Sequence, residues 1–590
     1  MRRWPVVLVL FAMTPAGTPA TAASQRVVDG PHFVDETAAA SIDFLHHHGG
    51  TGDKQLPETM GAGVAWLDYD RDGRHDLYFV DSGPLPQSMA ARPPTGTSRQ
   101  GQVVGANVLY RGLPDGTFRQ VSGAGASDRG YGQGVSVADY DADGFPDLYV
   151  TNVGRNTLLR NNGDGTFADV TDSAGIGGES WSVSSAWGDL DGDGLSELYV
   201  ANYLRYDLAN PLYCGAPLQG IRSYCHISLF EGAADALYRN DADGTFTDIS
   251  RDALGDPRGK GLGVVMGHVD GDELLDIYVA NDTTQNLLYR NAGELTFEEA
   301  GLVTGVGFAS DGRPQAGMGT DIADLDGDGV MEIVVNNFAF EPTNVYRAAA
   351  PGFFLDDTYA LGIGAVTYPT LGFGLALADF DADGDLDMVI ANGHILDDVE
   401  RIKDNATYAQ PNQLLVNRLD EMRSSGAAES AVEPDLFVEA TAAAGEALAT
   451  PRVSRGLAAA DFTGDGLPDL AISNSNDAAQ LLRTDTRGAG ARVVVRLIGR
   501  QSPRDGVGSR IRARPVDAGR ASLYEVRAGS SYASSHATDV YLGLGDRDAV
   551  SIEVLWASGH RESIVRLPAG ALYVVIEGLG VIATRPLADH

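Results

Sequence analysis

A nine-residue acidic pattern, Asp-x-Asp-x-Asp-Gly-x-x-Asp/Glu, recurs along the chain and constrains its fold more than any other feature. Five copies are complete: DYDRDGRHD (68–76), DYDADGFPD (139–147), DLDGDGLSE (189–197), DLDGDGVME (324–332) and DFDADGDLD (379–387). Two are degenerate: HVDGDELLD (268–276) and DFTGDGLPD (461–469). A motif that returns at intervals of 50–82 residues indicates repeated supersecondary units rather than one continuous core.

The surroundings of each copy predict four short strands per repeat. Alternating apolar residues flank each acidic loop, which is typical of two strands joined by that loop. A third apolar segment occurs seven times, from NVLYRG (107–112) to QLLRT (480–484), but a fourth, such as GTFADVT (165–171), occurs only six times. The missing seventh stands at the other end of the chain, as HFVDETA (32–38).

This mismatch predicts an all-β, seven-bladed β-propeller over 32–486 that is closed by an N-terminal strand. Closure removes exposed strand edges. The alternative is an open β-solenoid, which has no need of an N-terminal strand to complete its last unit.

The acidic loops carry the oxygen ligands that Ca²⁺ prefers, and the glycine at position 6 permits the sharp turn that brings them together. We expect about five strong calcium sites with a structural rather than catalytic role. The predicted ligands of these five are Asp68, Asp70, Asp72, Asp76, Asp139, Asp141, Asp143, Asp147, Asp189, Asp191, Asp193, Glu197, Asp324, Asp326, Asp328, Glu332, Asp379, Asp381, Asp383 and Asp387.

Two further sites are expected to be weak. In one, His268 replaces the first carboxylate and Glu273 replaces the glycine; in the other, Thr463 replaces the second aspartate. Their remaining candidate ligands are Asp270, Asp272, Asp276, Asp461, Asp465 and Asp469.

The net charge and the N-terminal segment limit which partners and which cellular compartment are expected for the chain. The formal charge of −38 argues against nucleic acid as a partner. Residues 1–23 resemble a cleavable export signal, whose apolar run is too short to span a bilayer, so we expect a secreted, periplasmic or cell-surface protein with no membrane span. In that setting Cys214 and Cys225 form a disulfide, or remain two free thiols.

Insertions near 81–106, 202–235 and 392–412 all follow the second strand of a repeat, so they gather on the face opposite the acidic loops. Such a face favours recognition of a protein or glycan, unless the inserts pack on one another or on the C-terminal domain. A catalytic site is not expected, because only scattered His226, His394 and Asp397 occur there. Adjacent His46, His47 and His48 indicate a structural or surface role.

After residue 491 the acidic pattern stops, and about six short apolar runs predict a separate small β-sandwich or barrel over 491–580. Its SSYASSH segment (530–536) contains hydrolase residue types but no Gly-x-Ser-x-Gly elbow, which favours a turn between strands.

The repeats resemble FG-GAP/VCBS repeats, the blades of integrin α-subunit propellers. FLHHHGGTGDKQLPETMGAGVAWLDYDRDGRHDLYFV (44–80) is similar to the opening of the cartilage acidic protein family, and 505–562 is similar to its ASPIC/UnbV domain. The resemblance implies an extracellular calcium-binding protein with a binding, adhesion or scaffold function and an unknown ligand. The alternative is an enzyme or biosynthetic accessory protein that uses the insert face or the domain junction.

Overall fold

The computed structural model describes residues 30–89, 96–97, 103–216, 221–255, 258–424, 435–517 and 520–588. The predicted export signal at 1–23 lies outside them. The described residues form seven four-stranded antiparallel sheets, which we call blades 1 to 7, followed by a two-sheet domain. No helix among the described residues is long and apolar enough to cross a membrane.

Within each blade the strands pair in sequence order. Blade 1 consists of Val64–Leu67, Asp76–Phe79, Val108–Gly112 and Phe118–Gln120. Blade 2 consists of Gly132–Ala138, Asp147–Asn152, Thr157–Asn161 and Phe167–Asp169. Blade 3 consists of Ser182–Gly188, Glu197–Asn202, Ala236–Asn240 and Phe246–Asp248. Blade 4 consists of Gly261–Gly267, Asp276–Asn281, Leu287–Asn291 and Phe297–Glu299. Blade 5 consists of Thr320–Ala323, Glu332–Val335, Asn344–Ala350 and Phe353–Asp356. Blade 6 consists of Gly372–Ala378, Asp387–Asn392, Gln413–Asn417 and Phe437–Glu439.

Blade 7 combines both ends of the repeat array. Its strands Ser454–Ala460, Asp469–Asn474 and Gln480–Thr484 are joined by Phe33–Asp35, which pairs antiparallel with Gln480–Thr484. The first strand of blade 7 also contacts the first strand of blade 1, as the first strands of every other neighbouring pair do. The predicted all-β propeller is confirmed, and the N-terminal strand pairs with the third strand of blade 7 as predicted.

Short helices and hairpins occupy the connections. The α-helices are Thr171–Ala174, Ser250–Leu254, Gly301–Thr304, Gly364–Thr367, Leu419–Ser424 and Glu446–Ala449, and the 3-10 helices are Leu56–Thr59, Ile227–Leu229 and Val399–Arg401. Two-stranded hairpins pair Gly96–Thr97 with Val103–Val104 and Cys214–Ala216 with Ile221–Ser223.

The C-terminal domain is a sandwich of two four-stranded sheets. One sheet contains Val540–Gly545, Ala491–Ile498, Ala571–Ile576 and Gly580–Pro586 in that order; the other contains Ser522–Glu525, Arg510–Pro515, Ala549–Leu555 and Arg561–Pro568. The sequence pattern did not predict the strands at 561–568 and 580–586. Both are edge strands with several exposed residues, so neither has the clean alternation that predicts a half-buried strand.

The C-terminal domain has its own two sheets but is docked tightly on the propeller. Its segment 528–537, which we call the plug, lies among the first strands of the blades, and apolar residues of both parts form one buried cluster that includes Trp187 and Val495. The plug exchanges backbone hydrogen bonds with several blades: the Ser535 N–H donates to the Val64 carbonyl at 3.1 Å, and the Val135 N–H donates to the Ala533 carbonyl at 3.1 Å. A loop that reaches six blades in this way lies on the axis of the ring; its other contacts are Trp187 with Ala528, Thr320 with Ser531, Leu375 with the Ser531 hydroxyl, and Ala537 with Ala459.

Small residues at one repeated position make room for the plug. The residue five places before each acidic loop is glycine in six blades and Ser184 in blade 3. A Cβ at Gly63 would lie 2.3 Å from the Ala533 carbonyl oxygen, and one at Gly456 would lie 2.7 Å from Ser534 Oγ. The equivalent glycines are Gly134, Gly263, Gly319 and Gly374.

Candidate metal centres

Each acidic loop joins the first and second strands of a blade, and its first and last carboxylates organise the turn. In loop 1 the Gly73 N–H donates to Asp68 Oδ2 at 2.9 Å, and the Tyr69 N–H donates to Asp76 Oδ2 at 2.9 Å. Asp76 also accepts from the Gly112 N–H at 2.8 Å, which ties the loop to the third strand of the blade. These contacts keep the last carboxylate fixed and fully buried.

The glycine at loop position 6 is required by the backbone. Gly73 has φ of +86°, and Gly384 in loop 6 has φ of +103°, a region that other residues rarely adopt. With this turn the N–H of Gly384 donates to Asp379 Oδ2 at 2.9 Å. The same positive φ occurs at Gly144, Gly194, Gly329 and Gly466.

The carboxylates at positions 1, 3 and 9 converge in the five complete loops. In each of these loops one oxygen from each of the three residues lies within 4.8 Å of the others. Among the described residues, the loops at 268–276 and 461–469 form no such group. The five groups are Asp68, Asp70 and Asp76; Asp139, Asp141 and Asp147; Asp189, Asp191 and Glu197; Asp324, Asp326 and Glu332; and Asp379, Asp381 and Asp387.

The aspartates at position 5 have a different role in the loop. Asp143 Oδ1 accepts from the Phe145 N–H at 2.9 Å, and Asp328 Oδ1 accepts from the Val330 N–H at 2.8 Å. In this arrangement the second oxygen of the side chain is left for another ligand. The equivalent residues are Asp193 and Asp383. Asp72 accepts from the Arg74 N–H in the same way, but its second oxygen already pairs with Arg111 Nη2 at 3.0 Å.

Because these carboxylates are buried, their ionised forms are unfavourable unless a positive charge lies nearby. Desolvation, together with repulsion from neighbouring aspartates, raises the pKa of Asp76 to about 8 and that of Glu197 to about 9. Desolvation and the other acids of its loop raise the pKa of Asp383 to about 10. A divalent cation would satisfy such groups, because it supplies the charge that the protein does not.

Unpartnered oxygens support the fit to a cation. Within the described part of the chain, no hydrogen bond reaches the buried atoms Asp68 Oδ1, Asp139 Oδ1 and Glu332 Oε1. Buried polar atoms without partners are rare in proteins and cost free energy unless a ligand or ion satisfies them. Converging, oxygen-only donors of this kind match a hard cation such as Ca²⁺.

In the two degenerate loops, side chains of the protein pair with the carboxylates or replace them. In the loop at 268–276, Arg290 Nη2 lies 2.6 Å from Asp270 Oδ2, and His268 Nδ1 lies 2.7 Å from Glu525 Oε1. In the loop at 461–469, the Thr463 hydroxyl donates to Asp461 Oδ1 at 3.2 Å and stands where other loops have a carboxylate.

An arginine also enters one of the complete loops. Arg111 lies in the third strand of blade 1 at the position that Arg290 occupies in blade 4, and its Nε lies 2.6 Å from Asp70 Oδ2. An ion in loop 1 therefore competes with this side chain. In loop 6 the equivalent residue is Val416, so no such competitor stands at that position.

The C-terminal domain covers the face of the propeller that carries the acidic loops, which the sequence reading did not anticipate. The Leu523 N–H donates to Asp324 Oδ2 at 2.9 Å, and Arg496 Nη1 lies 3.7 Å from Asp68 Oδ2. A compositional signal exists: residues 491–580 contain twelve arginines and nine acidic residues, whereas the whole chain has a charge of −38.

On the opposite face, the insert at 202–235 is partly packed and partly exposed. Tyr203 and Tyr206 are buried against Trp181, whereas Leu212 and Tyr213 are about half exposed. Cys214 and Cys225 form a disulfide across this insert. The buried residues of the insert thus pack towards the axis, in one cluster with Tyr532, while others such as Tyr213 and Leu229 are accessible.

The candidate catalytic residues on this face each form their hydrogen bond or ion pair with another group rather than with one another. His226 Nδ1 bonds within its own turn to the Ser228 hydroxyl at 2.8 Å, and His394 Nδ1 accepts from the Leu396 N–H at 3.0 Å. Asp397 instead pairs with Lys54.

The adjacent histidines near the N-terminus have structural contacts. His46 is buried and shares a 3.1 Å hydrogen bond with the Ser82 hydroxyl, and its burial lowers its pKa to about 3. His47 pairs with Asp81 at 3.1 Å.

Both the propeller and the C-terminal domain are similar to known protein families. The FG-GAP-like repeat matches residues 98–150, 139–200 and 268–335, and the ASPIC and UnbV domain matches residues 499–581. Cartilage acidic protein 1 of Mus musculus is 24% identical over 527 residues, which cover 86% of this chain and 72% of that protein.

Two further similarities are more limited. Cartilage acidic protein 1 of Xenopus tropicalis is 28% identical over 306 residues, covering 51% of this chain and 42% of that protein. Among solved structures, a lectin of Agrocybe aegerita in a study of N-acetylglucosamine recognition aligns with 60% of this chain and 80% of its own at 16% identity, with a TM-score of 0.32. That score is too low to support an argument.

Proposed function

Because this chain is an FG-GAP repeat protein with a C-terminal ASPIC/UnbV domain, we propose that it is an exported, calcium-stabilised propeller that acts as a binding or scaffold protein outside the cytoplasm. The calcium part rests on one observation: three carboxylate oxygens converge within 4.8 Å in each of five loops at equivalent places in the fold. We keep 32–486 and 491–580 as the proposed limits of the two units.

Ca²⁺ is the ion that these loops fit best. It takes six to eight oxygen ligands in flexible geometry, whereas Mg²⁺ requires a strict octahedron and keeps several waters. Carboxylates at positions 1, 3, 5 and 9 and a carbonyl near position 7 supply such a set. Each ion would link the first and second strands of its blade, so its binding energy would add to the stability of the fold.

The ions would also stabilise the covering domain. Asp324 belongs to a converging group and accepts a hydrogen bond from Leu523 of the sandwich. In loop 6 the carbonyl of Asp381 accepts a 2.9 Å hydrogen bond from the Gly490 N–H. Fixing these loops would therefore fix the surface on which the C-terminal domain docks.

Metal analysis of the purified mature chain tests the calcium part. After dialysis against calcium chloride and removal of free ion, we expect about five calcium ions per chain, because the loops at 268–276 and 461–469 carry no converging group among the described residues. A parallel sample in magnesium chloride should retain far less metal. Fewer than two calcium ions per chain would refute the assignment.

The binding role concerns the exposed outer end of the 202–235 insert. Tyr213 is 49% exposed with Arg222 stacked over its ring at 4.3 Å, an arrangement of aromatic and arginine side chains that is common in recognition sites. A screen of glycan and protein arrays in calcium, with a Tyr213→Ser variant as control, tests this role. Ligands that bind both proteins equally would contradict the assigned surface.

A further inference from the structure

A cavity of about 110 Å³ lies at the junction of blades 5 to 7 and the C-terminal domain. Both parts of the chain line it: Asp321, Ala378 and Ala459 come from the propeller, whereas Arg527, just before the plug, and His536, within it, come from the C-terminal domain. One water occupies about 10–15 Å³ of such volume, so the cavity accommodates several waters or one small organic molecule.

The polar end of the cavity is formed by Asp321, Arg527 and His536. Asp321 is 1% exposed, and its Oδ1 lies 3.0 Å from Arg527 Nε and accepts from the Ile322 N–H at 2.9 Å. Its Oδ2 lies 3.9 Å from His536 Nε2, which is too long for a hydrogen bond. The donor and the acceptor therefore face each other across a gap.

The hydrogen bonds of His536 define what its ring can do. The Ala459 N–H donates to His536 Nδ1 at 2.9 Å, so in the neutral ring the proton resides on Nε2. Burial and the nearby Arg527 lower its pKa, which favours that neutral form. Nε2 is thus a donor. It is buried, and among the described residues no acceptor meets hydrogen-bond geometry with it, although the Leu375 carbonyl lies close enough to oppose the fall in the pKa of the ring.

This arrangement excludes a general base at His536, because one nitrogen accepts a backbone hydrogen bond and the other holds the proton. The chemistry that remains is recognition. A ligand in this cavity must accept a hydrogen bond from His536 Nε2, and it binds most tightly if it also donates one to Asp321 Oδ2. The oxygen and nitrogen of a carboxamide are roughly 2.2 Å apart, which suits a donor and an acceptor separated by a gap of this kind.

A carboxylate fits the polar end of the cavity poorly. One of its oxygens can accept from His536 Nε2, but the other would face Asp321 Oδ2, and two oxygens that only accept form no hydrogen bond. The walls are largely aliphatic, with side chains such as Ile322, Leu377 and Val540. Such walls favour an apolar body.

We propose that this interdomain cavity is a binding site for a small neutral carboxamide with an apolar body, held by His536 and Asp321. The site is additional to the calcium loops and does not depend on the recognition surface proposed for the insert.

The test uses three probes with the same arrangement of non-hydrogen atoms on the calcium-loaded full chain: 3-methylbutanamide, 4-methyl-2-pentanone and 3-methylbutanoate. Ligand-observed NMR should give a Kd of about 1 mM for the amide, in the range expected for a ligand of this size. The ketone should bind several-fold more weakly because it cannot donate to Asp321, and the carboxylate at least tenfold more weakly.

Two variants locate the binding. His536→Phe removes the donor and Ala378→Leu fills the cavity without changing its polar end; each should weaken amide binding at least tenfold, while the exposed control His560→Phe leaves it unchanged. Ala378→Leu keeps the test valid if His536→Phe loosens the domain junction. Amide binding absent below about 10 mM, equal binding of the carboxylate, or binding unaffected by Ala378→Leu would each overturn the proposal.

Discussion

Equivalent aspartates in two loops allow a matched test of the calcium sites. Asp383 in loop 6 and Asp272 in loop 4 both stand at position 5, and each accepts a 2.8 Å hydrogen bond from the backbone N–H two residues later. Asparagine preserves that hydrogen bond at both positions. Any difference between Asp383→Asn and Asp272→Asn therefore reports the lost negative charge rather than the lost turn.

The expected magnitudes differ because the two loops differ in charge. Loop 6 has a converging carboxylate group, and Val416 stands where blade 4 has Arg290, which already neutralises Asp270 in loop 4. If Asp383→Asn abolishes one site, the chain loses about 2.7 kcal/mol of stabilisation at a calcium concentration one hundred times Kd. For a chain of 590 residues that corresponds to a melting temperature lower by roughly 2 °C.

Calorimetry and metal analysis together provide the assay. Asp383→Asn should lose one calcium ion per chain and melt at the lower temperature in calcium, with no difference from wild type in excess chelator. Asp272→Asn should retain the full calcium content and the wild-type melting temperature. Equal loss of calcium in both variants, or none in Asp383→Asn, would refute the assignment of loop 6 as a site and of loop 4 as neutralised by arginine.

Three more outcomes are expected. First, burial raises the pKa of Asp76 to about 8 and that of Glu332 to about 9, so their stabilising contribution is complete below about pH 4 and is lost progressively until the pH passes 8 to 9. In chelator the melting temperature should therefore fall between about pH 4 and pH 9, whereas in calcium it should not. Second, Tyr532→Ala should cost about 3–5 kcal/mol in urea denaturation, since Tyr532 is fully buried in the plug, whereas Tyr359→Ala at an exposed position should cost less than about 0.5 kcal/mol. Third, Cys214→Ser should speed limited proteolysis within 202–235, with little change in the melting temperature of the blades.

The sequence predicted the repeat architecture because local chemistry determines it. Alternating apolar residues specify the strands, and the position-6 glycine specifies a backbone with positive φ, as at Gly144. The closing strand at Phe33–Asp35 was also predictable, since counting segments shows that one blade lacks its fourth strand.

Docking of the C-terminal domain was not predictable in the same way, because it depends on contacts between residues far apart in the chain. The Ser535 N–H bonds to Val64, and no periodicity of either segment indicates the pairing. One signal did exist: the small residue five places before each acidic loop, which is glycine in six blades and Ser184 in blade 3, has no role in the loop itself. A small residue at one position of every first strand indicates that another backbone approaches the axis closely.

The closing strand and the plug act on the same ring. Phe33–Asp35 completes blade 7 at its outer edge, while the plug bonds to the first strands of six blades at the centre. The blades cannot separate at the axis without breaking those central hydrogen bonds, and the plug cannot leave without exposing Tyr532, which packs on Phe373 with ring centres 4.8 Å apart. Unfolding of the propeller and undocking of the C-terminal domain should therefore be one cooperative transition rather than two, and the ions bound near the junction should raise its temperature as a whole.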